Sequence, residues 1–211
     1  MSMSTDEIWR ALATERTSLA DLLAELPESA WNVESLCAGW RVRDVVAHLI
    51  LATRATLGWI LVNLPRAGFN IARGNHDTAV RLADRVDTAQ LLAEFRATVP
   101  SRFTPIGTTP ADRLMDTLVH GQDIAIPLGI TREMPVAAVR TALIRVWEAG
   151  AQFRIHERLS GFRLEATDTD WSTGDGPIIR GTSGALLLLA TGRAAAYPLL
   201  TGPGAAALTA G

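Results

Sequence analysis

The sequence predicts a mainly α protein with a small α/β part: an up-and-down helical bundle over residues 1–159, followed by a small α/β domain over 160–211. Two observations carry this expectation. Apolar residues recur at helical intervals through most of the first 160 positions, and the pattern changes at Ser160–Gly161 to short strand-like runs separated by turn residues. The chain has 211 residues, of which 48% are hydrophobic, enough apolar material for one large or two unequal cores.

Ser4 followed by Glu7 has the spacing of a capping box, and Ile8, Leu12, Leu19, Leu22, Leu23 and Leu26 continue a helix to about Leu26. Pro27–Trp40 lacks a period and reads as a packed loop holding Cys37 and two tryptophans. From Val42, the series Val45, Val46, Leu49, Ile50, Thr53 and Leu57 predicts a largely buried helix that stops near Pro65 and contains His48. Asn70–Arg85 and Thr88–Thr98 are helical in composition. Between Ala111 and Leu128, Leu114, Leu118, Ala125 and Leu128 form one stripe, while Asp116, His120 and Asp123 fall on another. Val136–Leu159 reads as one further long helix. Phe162–Ala166 reads as a strand, Trp171–Pro177 as a turn-rich connection, Ile178–Ile179 as the start of another strand, and Ser183–Ala190 as a helix.

Composition excludes several functions. The longest apolar runs, Ala185–Ala190 and Trp59–Leu64, are far short of the roughly 20 residues that span a bilayer, so no membrane partner is expected. A net charge of −2 with scattered arginines argues against nucleic acid. Every basic residue counted as Lys or Arg is arginine, which removes Schiff-base and P-loop lysine chemistry. One cysteine and no secretory pattern at the start lead to the expectation of a cytoplasmic protein.

Asp116 and His120, four residues apart on a helix, can chelate one ion, and His48 on another bundle helix is the natural third ligand. Two imidazoles and a carboxylate suit zinc, with nickel or ferrous iron as alternatives, and leave a position open. Spacing alone leaves a plainer account open, in which His48 and His120 are core histidines bonded to Asp44 and Asp123. His76 and His156 have no matching motif and read as surface residues, and Cys37 reads as a buried structural thiol because no histidine or basic residue adjoins it in sequence.

The segments SLCAGWRVRDVVAHLI, DTLVHGQDIAIPLG, FRLEATDTDWSTGDGPIIRG and LLLLATGR, in that order, resemble successive blocks of the actinobacterial mycothiol-dependent maleylpyruvate isomerase-like family. The resemblance implies a DinB-like four-helix bundle with a metal site, followed by a small sterol-carrier-like domain. It implies metal ligation by His48, Asp116 and His120, although the family's characterised isomerases carry a glutamate where this chain has the shorter Asp116. Asp44 and Asp123 are then outer groups that fix the histidine tautomers, with Asp44 alternatively an early-turn acid favoured by the helix dipole. Arg193 matches the family's catalytic-cleft arginine and would bind a carboxylate of substrate or thiol; its plainer role is that of a helix C-terminal arginine neutralising the dipole. The function so implied is a metal-dependent enzyme that uses mycothiol, a low-molecular-weight thiol, on a small electrophilic substrate, by isomerisation or S-transfer. A non-catalytic binding module for a small apolar ligand, suggested by Trp31, Trp40 and Trp59, and a metal-dependent hydrolase are the alternatives. A homodimer is an open expectation, with no interface legible.

Overall fold

Helix α1 (Thr5–Ala24) starts directly after Ser4 and buries Ile8, Leu12, Leu19 and Leu23 of the expected series together with Trp9 and Ala20, while Leu22 and Leu26 are only partly buried. In this computed structural model, residues 3–56, 65, 68, 70–150 and 154–210 are described. The chain forms two compact units, Thr5–Arg132 and Glu133–Gly211 together with the first four residues. That division differs from the expected boundary at 159/160, because the helix at Val136–Glu148 packs along the helix at Ser183–Ala190 and so shares the core of the second unit.

The first unit is helical. After α1 come a 3-10 turn at Glu28–Asn32, α2 (Val42–Leu51), α3 (Ile71–Arg85), α4 (Thr88–Ala97) and α5 (Pro110–Ala125). Each later start has a local cause: the side chains of Asn70 and Asp87 accept the Arg73 and Gln90 amides, and Thr109 precedes Pro110 and exchanges hydrogen bonds with Asp112. Leu19, Leu23, Trp31, Val45, Val46, Ile50, Leu91, Phe95 and Ile124 meet in one core. Helix α2 packs on α3, α4 and α5, and α1 packs on α4 and α5.

The expected helix from Val42 to near Pro65 is corrected: α2 stops at Leu51. There the ladder tightens, with the Thr53 amide and hydroxyl both donating to the Ile50 carbonyl and the Arg54 amide to Leu51. A β-branched hydroxyl that bonds locally competes with the helical pattern. Leu57 and Trp59 lie outside the described residues.

The second unit begins with α6 (Val136–Glu148) and α7 (Ile155–Leu159). The single helix expected over Val136–Leu159 is therefore also corrected; it caps at Ala149, and Arg154 just before α7 takes the left-handed conformation at φ 50°. Three short strands follow, β1 (Arg163–Ala166), β2 (Ser172–Thr173) and β3 (Ile178–Gly181), in the order β2-β1-β3. Strand β1 is antiparallel to β2 and parallel to β3. Gly176, at φ 121°, permits the return, since a Cβ there would lie 2.1 Å from the Gly161 carbonyl oxygen. Helix α8 (Ser183–Ala190) is buried along its length, with Leu186, Leu187, Leu188 and Leu189 all in the core. A 3-10 turn at Ala194–Leu199 and helix α9 (Pro203–Ala210) complete the described chain. The protein is mainly α with a small three-stranded sheet, as predicted, and no described helix is long and apolar enough to cross a membrane.

The α1 stripe also buries two charges. Glu15 faces Arg132 at 2.7 Å, with the two side chains only 4% and 6% exposed. Arg132 also donates to the Glu15 carbonyl. Removing one partner of such a pair strands the other charge. Arg132→Ala is expected to lower the unfolding free energy by about 3 to 5 kcal/mol in urea denaturation, whereas the exposed pair Arg102–Asp6 should be close to neutral when broken.

Candidate metal centre

Helix α5 is buried nearly all round, so the polar face seen in its sequence does not point to solvent. His120 lies one turn after Asp116, and His48 approaches from α2. Asp116 Oδ1 stands 3.5 Å from His48 Nε2 and 3.3 Å from His120 Nε2. One ligand atom from each of the three residues lies within 4.8 Å of the others. The structure thus brings together the three residues picked from spacing and resemblance.

Donor spacing tests whether a metal fits. Bonds of about 2.0 to 2.1 Å at a tetrahedral angle separate neighbouring nitrogen and oxygen donors by about 3.3 to 3.4 Å. The edges from Asp116 Oδ1 to the two histidines, 3.3 and 3.5 Å, are close to that length, so the donor set is compatible with a metal. A second cluster, Cys37, His120 and Asp123, also offers three donor atoms. Its edges are different: His120 Nδ1 to Asp123 Oδ2 is 2.8 Å and Cys37 Sγ to the same oxygen is 3.1 Å. These are hydrogen-bond lengths, shorter than the about 3.5 Å edge between sulfur and a lighter donor around zinc. The two clusters therefore differ in spacing, and the spacing of His48, Asp116 and His120 is the closer to that of a metal site.

Asp123, fully buried, accepts from both His120 and Cys37. A carboxylate on Nδ1 favours a proton on that nitrogen and leaves Nε2 as the ring nitrogen facing Asp116. Cys37 is half-buried in the loop before α2, which the Leu36 amide ties to the Asp123 carbonyl at 3.1 Å. Its sulfur is also 3.7 Å from His120 Nδ1. The cysteine was read as an isolated structural thiol; its histidine and carboxylate neighbours come from a helix more than eighty positions away.

Arg113, one turn before Asp116 on α5, was also missed. Its Nη1 donates to Asp116 Oδ2 at 2.9 Å with only 6% of the side chain exposed. An i, i+3 pair of this kind was present in the sequence, but nothing there marked Arg113 as buried. Trp40 lies over the site, stacked on His120 at 6.3 Å and 13° and tilted against His48 at 5.3 Å. His76, read as a surface residue, is partly exposed, and its ring stands 6.1 Å from the other partner it shares, Trp40.

Asp44 does not reach a histidine. Its carboxylate accepts the Arg41 amide, Nε and Nη2 at 2.8 to 2.9 Å, which makes it the early-turn acid of α2 and corrects the outer-group role. Arg193 belongs to the second unit, at the end of α8, where its Nη1 donates to the Thr191 carbonyl at 2.6 Å. His156 has a described backbone in α7 only.

The electrostatics follow from the same contacts. Burial works against an ionised Asp116, but Arg113, His48 and the hydrogen bonds from both histidines outweigh it and hold the carboxyl well below its usual range. Burial likewise opposes a charged His120, yet bonds to Asp116, Asp123 and Cys37 raise it well above the ordinary value. His48 is pushed down, by burial first, with Asp116 only partly offsetting.

Comparison with known proteins gives a family match over part of the chain. Residues 12–112 match the family described as Mycothiol maleylpyruvate isomerase N-terminal domain, in line with the resemblance of the sequence blocks. Two uncharacterized proteins of Mycobacterium tuberculosis, from strains CDC 1551 / Oshkosh and ATCC 25618 / H37Rv, are each 29% identical over 145 residues. The match covers 57% of this chain and 56% of each relative, so it spans little more than half the length of those proteins. Two crystal structures, of the mycothiol-dependent maleylpyruvate isomerase and of a histidine-to-alanine mutant of it, share the fold. They give TM-scores of 0.68 and 0.67 at 13% identity, covering 96% of this chain and 94% of theirs.

In protein stripped of divalent metal, the two site histidines are expected to titrate on opposite sides of 6.5, His48 below and His120 above. Imidazole NMR shifts followed against pH check this. Asp123→Asn, which replaces the carboxylate on Nδ1 with an amide, should bring the His120 value down.

Proposed function

We propose, for a chain whose residues 12–112 match the mycothiol maleylpyruvate isomerase N-terminal domain family, that it holds one divalent metal and uses it to activate mycothiol toward a small electrophile. The carrying observation is the tripod of His48 Nε2, Asp116 Oδ1 and His120 Nε2 at the donor spacing of a tetrahedral site. Zinc suits two imidazoles and a carboxylate, with nickel or iron as the other candidates. A metal bound there supplies Lewis acidity that lowers the pKa of a thiol into the neutral range.

The chain's own groups prepare that chemistry. Arg113 keeps Asp116 ionised and fixes Oδ2, leaving Oδ1 toward the histidines. Asp123 holds the His120 tautomer through Nδ1, and Cys37 donates its thiol proton to the same carboxylate oxygen. Without metal, the bonds to Asp116 and Asp123 favour the charged form of His120, so a metal taken up at Nε2 would displace the proton facing Asp116 and binding would strengthen as pH rises. Trp40, stacked on His120, shields one side of the ligand set from water.

With a thiolate available, addition to an activated double bond followed by rotation and elimination gives cis–trans isomerisation. Attack with loss of a leaving group gives S-transfer. Both need the same nucleophile, and Arg193, by its match to the family's cleft arginine, is proposed to bind a carboxylate of substrate or thiol. A thiol is preferred to water as the activated group on the family match.

The test is consumption of a generic electrophile by mycothiol, with and without a chelator. The expected result is a protein-dependent rate that disappears on chelation, returns with zinc, and falls at least tenfold in Asp116→Asn. A rate that survives chelation, or one that needs no thiol, contradicts this function; the latter would favour metal-dependent hydrolysis.

A further inference from the structure

Helices α1 and α5 carry two guanidiniums into the interior of the first unit. Arg16 is 1% exposed, and its Nη1 donates to the carbonyls of Thr98 at 2.7 Å and Ser101 at 2.9 Å. Arg113 gives its Nη1 to Asp116. Those bonds use one terminal nitrogen of each side chain. Among the described residues, Arg16 Nη2, Arg113 Nε and Nη2, and Thr117 Oγ1 are buried and find no hydrogen-bond partner.

The residues that carry these orphaned donors sit on two helices that pack together, and Arg113 acts electrostatically on Arg16. Thr117, itself 1% exposed, follows Arg113 by one helical turn, the i, i+4 spacing that puts two residues on one side of a helix. Helix α1 packs directly on α5. The two cations also feel each other: burial, then the charge of Arg113, push the Arg16 guanidinium down to about 10, with Asp116 opposing. Two positive charges thus face one carboxylate, Asp116, whose other oxygen is already shared between two histidines.

The chemistry of the unused donors defines their ligand. Nε and Nη2 form the side-on edge of a guanidinium, two parallel N–H bonds at the spacing of the two oxygens of a carboxylate. Water satisfies such donors one at a time and leaves the charge excess in place. A planar oxyanion satisfies both together and removes the excess.

We propose that Arg113, Arg16 and Thr117 form a buried anion subsite that takes one small planar oxyanion of the carboxylate class, of which formate is the simplest. The anion lies on the Nε and Nη2 edge of Arg113, with Arg16 Nη2 and Thr117 Oγ1 as further donors. Arg113 then bridges two anions, Asp116 through Nη1 and the bound oxyanion through its other edge. The subsite stands on α1 and α5 alone and does not depend on the metal or on thiol chemistry.

The experiment is calorimetric titration of sodium formate into the intact chain after chelator treatment, so that no metal competes for the anion, in wild type and in Thr117→Val. The valine keeps the shape of the side chain and removes only the hydroxyl donor. Saturable binding at one site per chain, weakened about fivefold to tenfold in Thr117→Val, is expected. A crystal structure grown with formate should show the anion on the free edge of Arg113. No saturable binding, equal affinity in the two proteins, or a water molecule at that edge would overturn the subsite.

Discussion

One buried carboxylate, Asp116, connects the elements of the first unit to its chemistry. Its Oδ1 lies between the Nε2 atoms of His48 on α2 and His120 on α5, and its Oδ2 is held by Arg113. A carboxylate buried this far pays a desolvation cost that only fixed opposite charge and hydrogen bonds offset. Arg113 supplies the charge, and the histidines supply the bonds. The same arrangement raises His120 and, through burial, lowers His48, so two chemically identical side chains enter the site in different protonation states.

Behind this carboxylate a second one does a different task. Asp123 has no exposed surface and accepts hydrogen bonds from His120 and Cys37 on one oxygen, while its backbone carbonyl accepts the Leu36 amide. A single residue of α5 therefore sets the tautomer of a ligand and the position of the loop that carries Cys37 and Trp40. Helix α5 accordingly buries residues on almost every side, and its apolar stripe and polar stripe are both interior faces. The polar one is stabilised by mutual pairing and not by solvent.

Much of this was legible in the sequence because it is local. The i, i+4 relation of Asp116 and His120 is a property of one helix, and the strand and helix at 163–190 follow from composition and turn residues. What escaped was non-local or set by burial. Cys37 meets Asp123 only because the loop closes onto α5, Arg113 and Arg16 are buried in spite of their type, and Asp44 prefers the adjacent Arg41 to a histidine. The two overlong helices failed for another reason: apolar spacing continues through Thr53 and Ala149, whereas the backbone turns there. Periodicity reports which face is apolar and is silent on where hydrogen bonding stops.

The central claim is that the tripod of His48, Asp116 and His120 is the metal centre and that Cys37 and Asp123 stand behind it. X-ray absorption of the zinc-loaded protein, without added thiol, tests it most directly. A first shell of nitrogen and oxygen at about 2.0 to 2.1 Å with no sulfur is the expected spectrum. A zinc–sulfur distance of about 2.3 Å would place the ion on the Cys37 cluster instead, and a protein that takes up no zinc would contradict the account at its base.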